Sequence, residues 1–438
     1  MSLNRRQVLA GGLGLGAAVG LSACSGLTSK AGSSAPSAGA SAGGPATLTF
    51  VNWSGDEEKA AFDAVIAAFH QANPDITVKT DTVPYASIQT NLDTRFQAGN
   101  PPDLFRVSYI DMGQYTSQDV LLDLSGSLDA NAFEPGLFEA VVADGKPYGV
   151  PHQIDTTAIL YRLDAFEAAG ITNVPTTLDQ AWTWEQFTDA ANKLAKVTKS
   201  GQSPFIYDWQ SAGAYRWLTW LFEAGGALLG PDLKSSAIDS DAGRKTLDFT
   251  TGFFRNGWVA KNSSVKSTTY PDAAFQSGTV AMAFAGSFLV PGINREVKKK
   301  FEYGAMPQPR DVAASTDLGG NAVVAPKSGK NTAAATKFLE YLVSEDAMRT
   351  YCQATNQLPT LKSLTSASLD FAIRPDLMAP FVQQAKTLTP DQVKQVTVPQ
   401  FADLNLALQN ELERSFLGGR SSADTAAALA EAVQKAVQ

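Results

Sequence analysis

The chain has 438 residues and a formal net charge of −8, with two Cys and two His beside seven Trp and 11 Tyr. The negative balance argues against nucleic acid or an anionic membrane surface as the partner. Cys24 and Cys352 alone exclude a disulfide framework, and His70 with His152 leaves no material for a zinc or copper cluster.

The first residues read as an address. Arg5 and Arg6 precede an uncharged run over residues 7–29. Its apolar part, 8–21, is too short for a bilayer, which takes about 20 apolar residues. A short apolar run behind positive charge is a secretory leader, and Asn4-Arg5-Arg6-Gln7-Val8-Leu9 looks like a twin-arginine signal. Leu21-Ser22-Ala23-Cys24 resembles the bacterial lipobox. Cleavage before Cys24 would free it for lipidation, and two or three acyl chains anchor a protein where one does not. Residues 25–46, nearly all Ser, Ala, Gly and Pro, cannot bury a core and read as a flexible tether. The glycines at 12, 14 and 16 follow no strand, so they form no phosphate-binding loop.

Beyond the tether, strand and helix patterns alternate. Residues 47–53 (TLTFVNW) alternate and favour β-structure. Phe62, Val65, Ile66 and Phe69 make the stripe of a helix packed on a sheet, stopped by Asn73-Pro74. Strands are expected at 76–78 and 104–107, with a helix carrying Ile88, Leu92 and Phe96 between them. This alternation implies parallel βαβ units and an α/β fold of two domains. Asp144-Gly145-Lys146-Pro147-Tyr148-Gly149 reads as a hairpin-like turn before an extended run through Ile159 and Tyr161. Further helices are expected around Trp184, Phe187 and Leu194, over 332–343, and from Ser422 onward. A strand and turn are expected over 278–288.

The motif order resembles the extracellular solute-binding proteins of carbohydrate importers, the family that includes the maltose-binding protein. It is carried by FHQANPDI (69–76), QAGNPPDL (97–104), DGKPYGVP (144–151) and ILYRLDAF (159–166). GTVAM (278–282), Gly286-Ser287-Phe288, Gly319-Gly320 and FLEYL (338–342) follow in register. The resemblance implies an α/β periplasmic-binding-protein fold, two lobes with the ligand cleft between them. Chain crossings fall near 150–155, 317–321 and 359–363. On that basis residues 1–23 are the leader and 24–46 the lipidated Cys24 and tether. The N-lobe takes 47–152 and 319–360, and the C-lobe 153–318 and 361–438. It further implies a monomer without cofactor or catalytic residues, held on the membrane by Cys24. Its partners would be a carbohydrate ligand and the membrane subunits of an ABC importer.

Sugar recognition needs rings to stack on pyranose C–H faces and carboxylates or amides to bond hydroxyls. Open α/β sheets place such groups at strand ends. By that reasoning and the resemblance, the candidates are Trp53, Asp56, Tyr109, Asp111 and Asp155, then Trp209, Tyr215, Trp217, Ser287, Phe288, Gly320 and Asn321. Asp56 also suits a helix start, His152 suits a structural role, and Trp220 suits the core. Where the maltose-binding protein has a late Trp–Tyr pair, this chain has Asn405-Leu406-Ala407, which counts against maltodextrin specificity. One rival reading is a secreted glycoside hydrolase with two of Asp56, Asp111 and Asp155 as its carboxylates. The other is a non-sugar solute in the same fold.

Overall fold

The computed structural model describes residues 45–210, 213–297, 300–366 and 369–438. The expected leader, Cys24 and nearly all of the tether lie outside the described residues. No helix among the described residues is long and apolar enough to cross a membrane.

Eleven strands run in order: β1 (Ala46–Asn52), β2 (Ile76–Thr82), β3 (Leu104–Ser108), β4 (Val142–Ala143), β5 (Lys146–Pro147), β6 (Val150–Gln153), β7 (Thr157–Arg162), β8 (Ser203–Ile206), β9 (Val280–Gly286), β10 (Tyr303–Met306) and β11 (Asn321–Val324). The first lobe is built on a sheet ordered β2-β1-β3-β11-β6 and the second on β10-β7-β9-β8. β1 lies parallel to β2 and β3, as the βαβ pattern requires. The sheets are nonetheless mixed: β11 runs antiparallel to β3 and β6, and β7 antiparallel to β9 and β10. Periodicity could not reveal this, because side chains alternate along a strand in the same way whichever direction its neighbours run.

The helix Asp56–Ala72 buries Ala61, Phe62, Val65 and Phe69 against the first sheet, while Ile66 stays partly exposed. Asp56, Glu57 and Glu58 in its first turn suit the positive end of the helix dipole. Asn73 closes it by donating from Nδ2 to the Phe69 carbonyl at 3.0 Å. Between β4 and β5, Asp144 and Gly145 both have positive φ (49° and 76°), the geometry of a two-residue I′ turn.

The second lobe is aromatic inside. Its helix Trp184–Val197 starts with a capping box in which Thr183 and Gln186 bond each other's backbone N–H groups. Phe187, Phe205, Trp220, Phe253 and Phe284 pack edge-to-face around it, with ring centroids 5.1–6.3 Å apart.

Residues 154–156 cross between the sheets, and so does the chain between β10 and β11. The third crossing falls later than 359–363. Leu361 still bridges Phe133, and Thr365 Oγ1 bonds Glu134 of the first lobe. The chain joins the second lobe at Arg374, whose Nη2 donates to Tyr303 O of β10 at 3.1 Å, and in the helix Met378–Ala385 Phe381 O accepts from Thr156 Oγ1 at 2.9 Å. The helix Pro390–Val396 then touches both lobes. Gln395 Oε1 accepts from Leu228 and Leu229 N–H of the second. Thr397 O lies so near Gly113 of the first that an added Cβ would stand 2.2 Å from it. Only glycine permits that approach.

Candidate ligand cleft

A cavity of about 230 Å³ opens where the crossings meet, walled by both lobes. From the first lobe come Trp53, just past β1, Tyr85, just past β2, and Arg106 within β3. Arg106 is fully buried and ties this wall together. It donates to Trp53 O at 2.6 Å and to Glu58 Oε1 at 2.7 Å, and its guanidinium lies 4.7 Å from the centre of the Trp53 ring. Glu58 Oε1 also accepts from Tyr351 Oη (2.9 Å) and Gln357 Nε2 (2.6 Å). Burial works to raise the pKa of Glu58, yet Arg106 and these donors bring it below the usual carboxylate range. Tyr85 stands edge-on to Trp53, 5.2 Å between centroids, and is 39% exposed.

The floor belongs to the crossings. Tyr109 is buried and donates to Gln153 O at 2.8 Å. The Asn321 side chain accepts from Arg106 Nη2 (2.9 Å) and Gln153 Nε2 (2.6 Å). Asp155, just past β6, faces the cavity and has no hydrogen-bonding partner among the described residues. Burial, then the like charge of Asp317, pushes its pKa up to about 7. Gly319 makes room for it: an added Cβ would stand 2.2 Å from Asp155 Oδ1. Gly320 has φ +94°, and a Cβ there would meet Gln153 O and Ile154 Cα at 2.6 Å. Gly320→Ala is therefore expected to cost about 2–4 kcal/mol, read as a lower urea midpoint. A loss below about 0.5 kcal/mol, the scale of an unconstrained surface change, would contradict the backbone described.

The second lobe adds Gln210, Tyr215, Arg216, Tyr270 and Phe288. Arg216 sits between carboxylates, with Nε 3.3 Å from Asp317 and 3.8 Å from Asp208, and Nη1 donates to Gln210 O at 3.0 Å. Its guanidinium lies 4.8 Å from the Tyr215 ring centre. Tyr215 is held by its backbone N–H, which donates to Asn405 Oδ1 at 2.9 Å. Tyr270 meets Phe288 edge-on at 5.3 Å.

Of the residues singled out from sequence, Trp53, Tyr109, Asp155, Tyr215, Phe288, Gly320 and Asn321 line this cavity. The others stand elsewhere. Asp56 is exposed at the first helical position, where its charge serves the helix dipole. Asp111 ends the short 3-10 helix Tyr109–Asp111 outside the lining, with burial pushing its pKa up to about 6. Trp217 is core, its indole N–H bonded to Thr250 Oγ1 at 3.0 Å. Trp209 packs on Tyr207 and Phe416, and Ser287 is fully buried. His152 is structural: it stacks on Phe62 at 5.2 Å, and burial holds its pKa down at about 3.

Sequence reasoning missed Glu58, Tyr85, Arg106, Gln210, Arg216, Tyr270 and Gln357. One signal was available, since Arg106 interrupts the apolar strand LFRVS and a charge buried there needs partners. The rest converge only through tertiary folding. A larger hollow of about 480 Å³ lies within the second lobe beside Trp209 and residues 262–269. An occupant there would touch one lobe only and could not favour a closed arrangement of two.

The model of the bacterial extracellular solute-binding protein family matches residues 52–349. The chain belongs to this family. Among curated relatives, this solute-binding protein is similar to a putative binding protein of Brucella abortus (strain 2308), 25% identical over 85% of this chain and 90% of that one. It is also similar to the maltodextrin-binding protein MdxE of Bacillus subtilis (strain 168), 23% identical over 79% and 80%. A maltooligosaccharide ABC transporter solute-binding lipoprotein of Streptococcus pneumoniae (strain ATCC BAA-255 / R6) is 24% identical over 69% of each chain. The fold is shared with the cyclic α-maltosyl-1,6-maltose binding protein of Arthrobacter globiformis. That structure superposes with a TM-score of 0.76 at 22% identity, covering 90% of this chain and 99% of that one.

Proposed function

We propose that this solute-binding protein captures a sugar by lobe closure and delivers it to an ABC importer. The observation that carries the reading is one cavity walled by aromatic rings from both lobes, with the Asp155 carboxylate, unbonded by any described residue, at its floor. Rings stack on pyranose faces, while a carboxylate accepts from hydroxyls with charge-assisted strength. A ligand touching both lobes binds the closed state better and shifts the population toward it. The names of the maltodextrin- and maltooligosaccharide-binding relatives support a carbohydrate. The sequence of the leader supports export, cleavage before Cys24 and a lipid anchor, with residues 25–46 as a leash for a monomer. Binding without turnover is the expected chemistry, because among the described residues Asp155 is the one lining carboxylate left without a bonded cation.

A thermal-shift screen against a sugar panel tests the reading. A true ligand at 100 times its Kd adds about 2.7 kcal/mol to the native state, and the sugar should be recovered intact. If no carbohydrate raises the melting temperature, the ligand class is wrong. Replacing Cys24 tests the anchor separately: Cys24→Ala should move the protein from the membrane fraction to the soluble one.

A further inference from the structure

We propose that the cleft takes a short sugar, one or two rings without an acidic group, and excludes uronates, sugar phosphates and long maltodextrins. The inference rests on the sugar reading above and narrows it by size and by charge.

Size comes first. The cavity of about 230 Å³ falls below the roughly 300–1,000 Å³ of sites for drug-sized ligands. Two contacts between the lobes stand beside it. Arg295, on the helix Val290–Val297 that follows the lining residue Phe288, pairs with Glu57 at 2.7 Å, four residues beyond Trp53. Thr397 and Val398 press against Gly113, four residues beyond Tyr109. Rings added beyond that volume would extend past the residues that line the cavity. Neither face of the cavity is bare: Trp53 and Tyr85 present rings from one lobe, Tyr270 and Phe288 from the other. A single ring held between them touches both lobes at once, so closure needs no longer ligand.

Charge decides the rest. Arg106 is matched by Glu58 at 2.7 Å. Arg216 is shared between Asp317 and Asp208. Among the described residues no Lys lines the cavity, and Arg106 and Arg216 both already have carboxylate partners. Asp155 adds a carboxylate to which no described residue donates. An anionic ligand would therefore meet uncompensated negative charge, whereas a hydroxyl or a protonated amine could donate to Asp155.

Isothermal titration of the mature protein tests this with defined probes. The panel is neutral hexoses, pentoses and disaccharides, the matching uronic acids and 6-phosphates, 2-amino-2-deoxy sugars, and maltotriose to maltoheptaose. The best neutral probe should bind at least 100-fold more tightly than its uronate or phosphate, and at least tenfold more tightly than any oligosaccharide of three or more rings. Asp155→Asn should narrow the uronate gap about tenfold. An acidic sugar or a four-ring oligosaccharide binding as tightly as the best short neutral probe overturns the proposal and leaves sugar binding standing. Binding of no carbohydrate overturns both.

Discussion

Asp155→Asn is expected to raise stability above neutral pH while weakening ligand binding. In the folded chain the Asp155 pKa is about 7, first through burial and then through Asp317, against about 4 in an unfolded chain. A carboxylate whose folded pKa is raised favours its protonated form, so the native state bears a penalty whenever the group must ionise. That penalty begins as pH rises above about 4 and is complete above about 7. The groups that face Asp155 are Asp317, Asp208, Arg216 and Arg106. Asparagine keeps the shape, removes the repulsion and leaves Arg216 with both of its partners. Three pKa units correspond to about 4 kcal/mol at most. Asp155 opens onto the cavity, so we expect a gain of about 1–3 kcal/mol at pH 8 and none at pH 4. Unfolding midpoints at the two pH values measure it, and equal midpoints at pH 8 would refute the electrostatic account. The same substitution removes a charged acceptor worth about 1.5–3 kcal/mol per hydrogen bond. Sugar affinity should fall about 10- to 100-fold at pH 8. It should strengthen from pH 6 to 8 in the native protein, as Asp155 ionises, and stay flat in the variant. A site tuned for binding at the expense of stability is the physical content of that contrast.

Arg106→Met should be the most damaging single change in the first lobe. It leaves Glu58 buried with Tyr351 and Gln357 as donors but no cation, and it frees the Trp53 carbonyl that Arg106 holds. Removing one partner of a buried pair costs about 3–5 kcal/mol, because the other charge remains desolvated. Glu58 would then titrate upward, shifting the pH dependence of unfolding. The double variant Arg106→Met with Glu58→Gln should recover more than half of the loss, since no charge is then stranded. Chemical denaturation of the single and double variants measures the coupling. A single-variant cost below about 1 kcal/mol, the range of a surface pair, would show that the pair is not the keystone we describe. In the native chain, Glu58 contributes stability above its ordinary pKa that is lost as pH falls. Buried neutral His152, held at about 3, adds to the same acid sensitivity, because an unfolded histidine takes up a proton near pH 6.5.

Much of the first lobe was legible from local pattern. β1, the helix Asp56–Ala72 and β3 stand where alternation and the 62–65–69 stripe put them, because one face of each must be buried. The turn at Asp144-Gly145 was legible because positive φ at two successive positions demands such residues. The aromatic cluster of the second lobe misled. Trp209, Tyr215 and Trp217 lie within nine residues, yet only Tyr215 reaches the cleft. Trp209 packs on Tyr207 and Phe416, and Trp217 turns inward because the short helical turns Ala214–Trp217 and Leu218–Glu223 are buried on all sides and carry no amphipathic stripe to read. Asp56 and Glu58 show the same limit two residues apart. Both are acidic residues in one helix turn, but rotation along the helix exposes the first and aims the second at Arg106.

Sequence by itself determined the class of molecule: alternating strands and helices in the order of a two-lobed solute-binding protein, behind a segment that reads as an address and a tether. Those features are local, set by composition, period and turn chemistry within a few residues. Tertiary structure alone decided which side chains meet. Arg216 finds Asp208 and Asp317, Arg106 finds Glu58, and Asp155 is left without a hydrogen-bonding partner among the described residues, because folding brings together groups up to 101 positions apart in these pairs. The cleft's size and its spare negative charge follow from that convergence, and no window of sequence contains it.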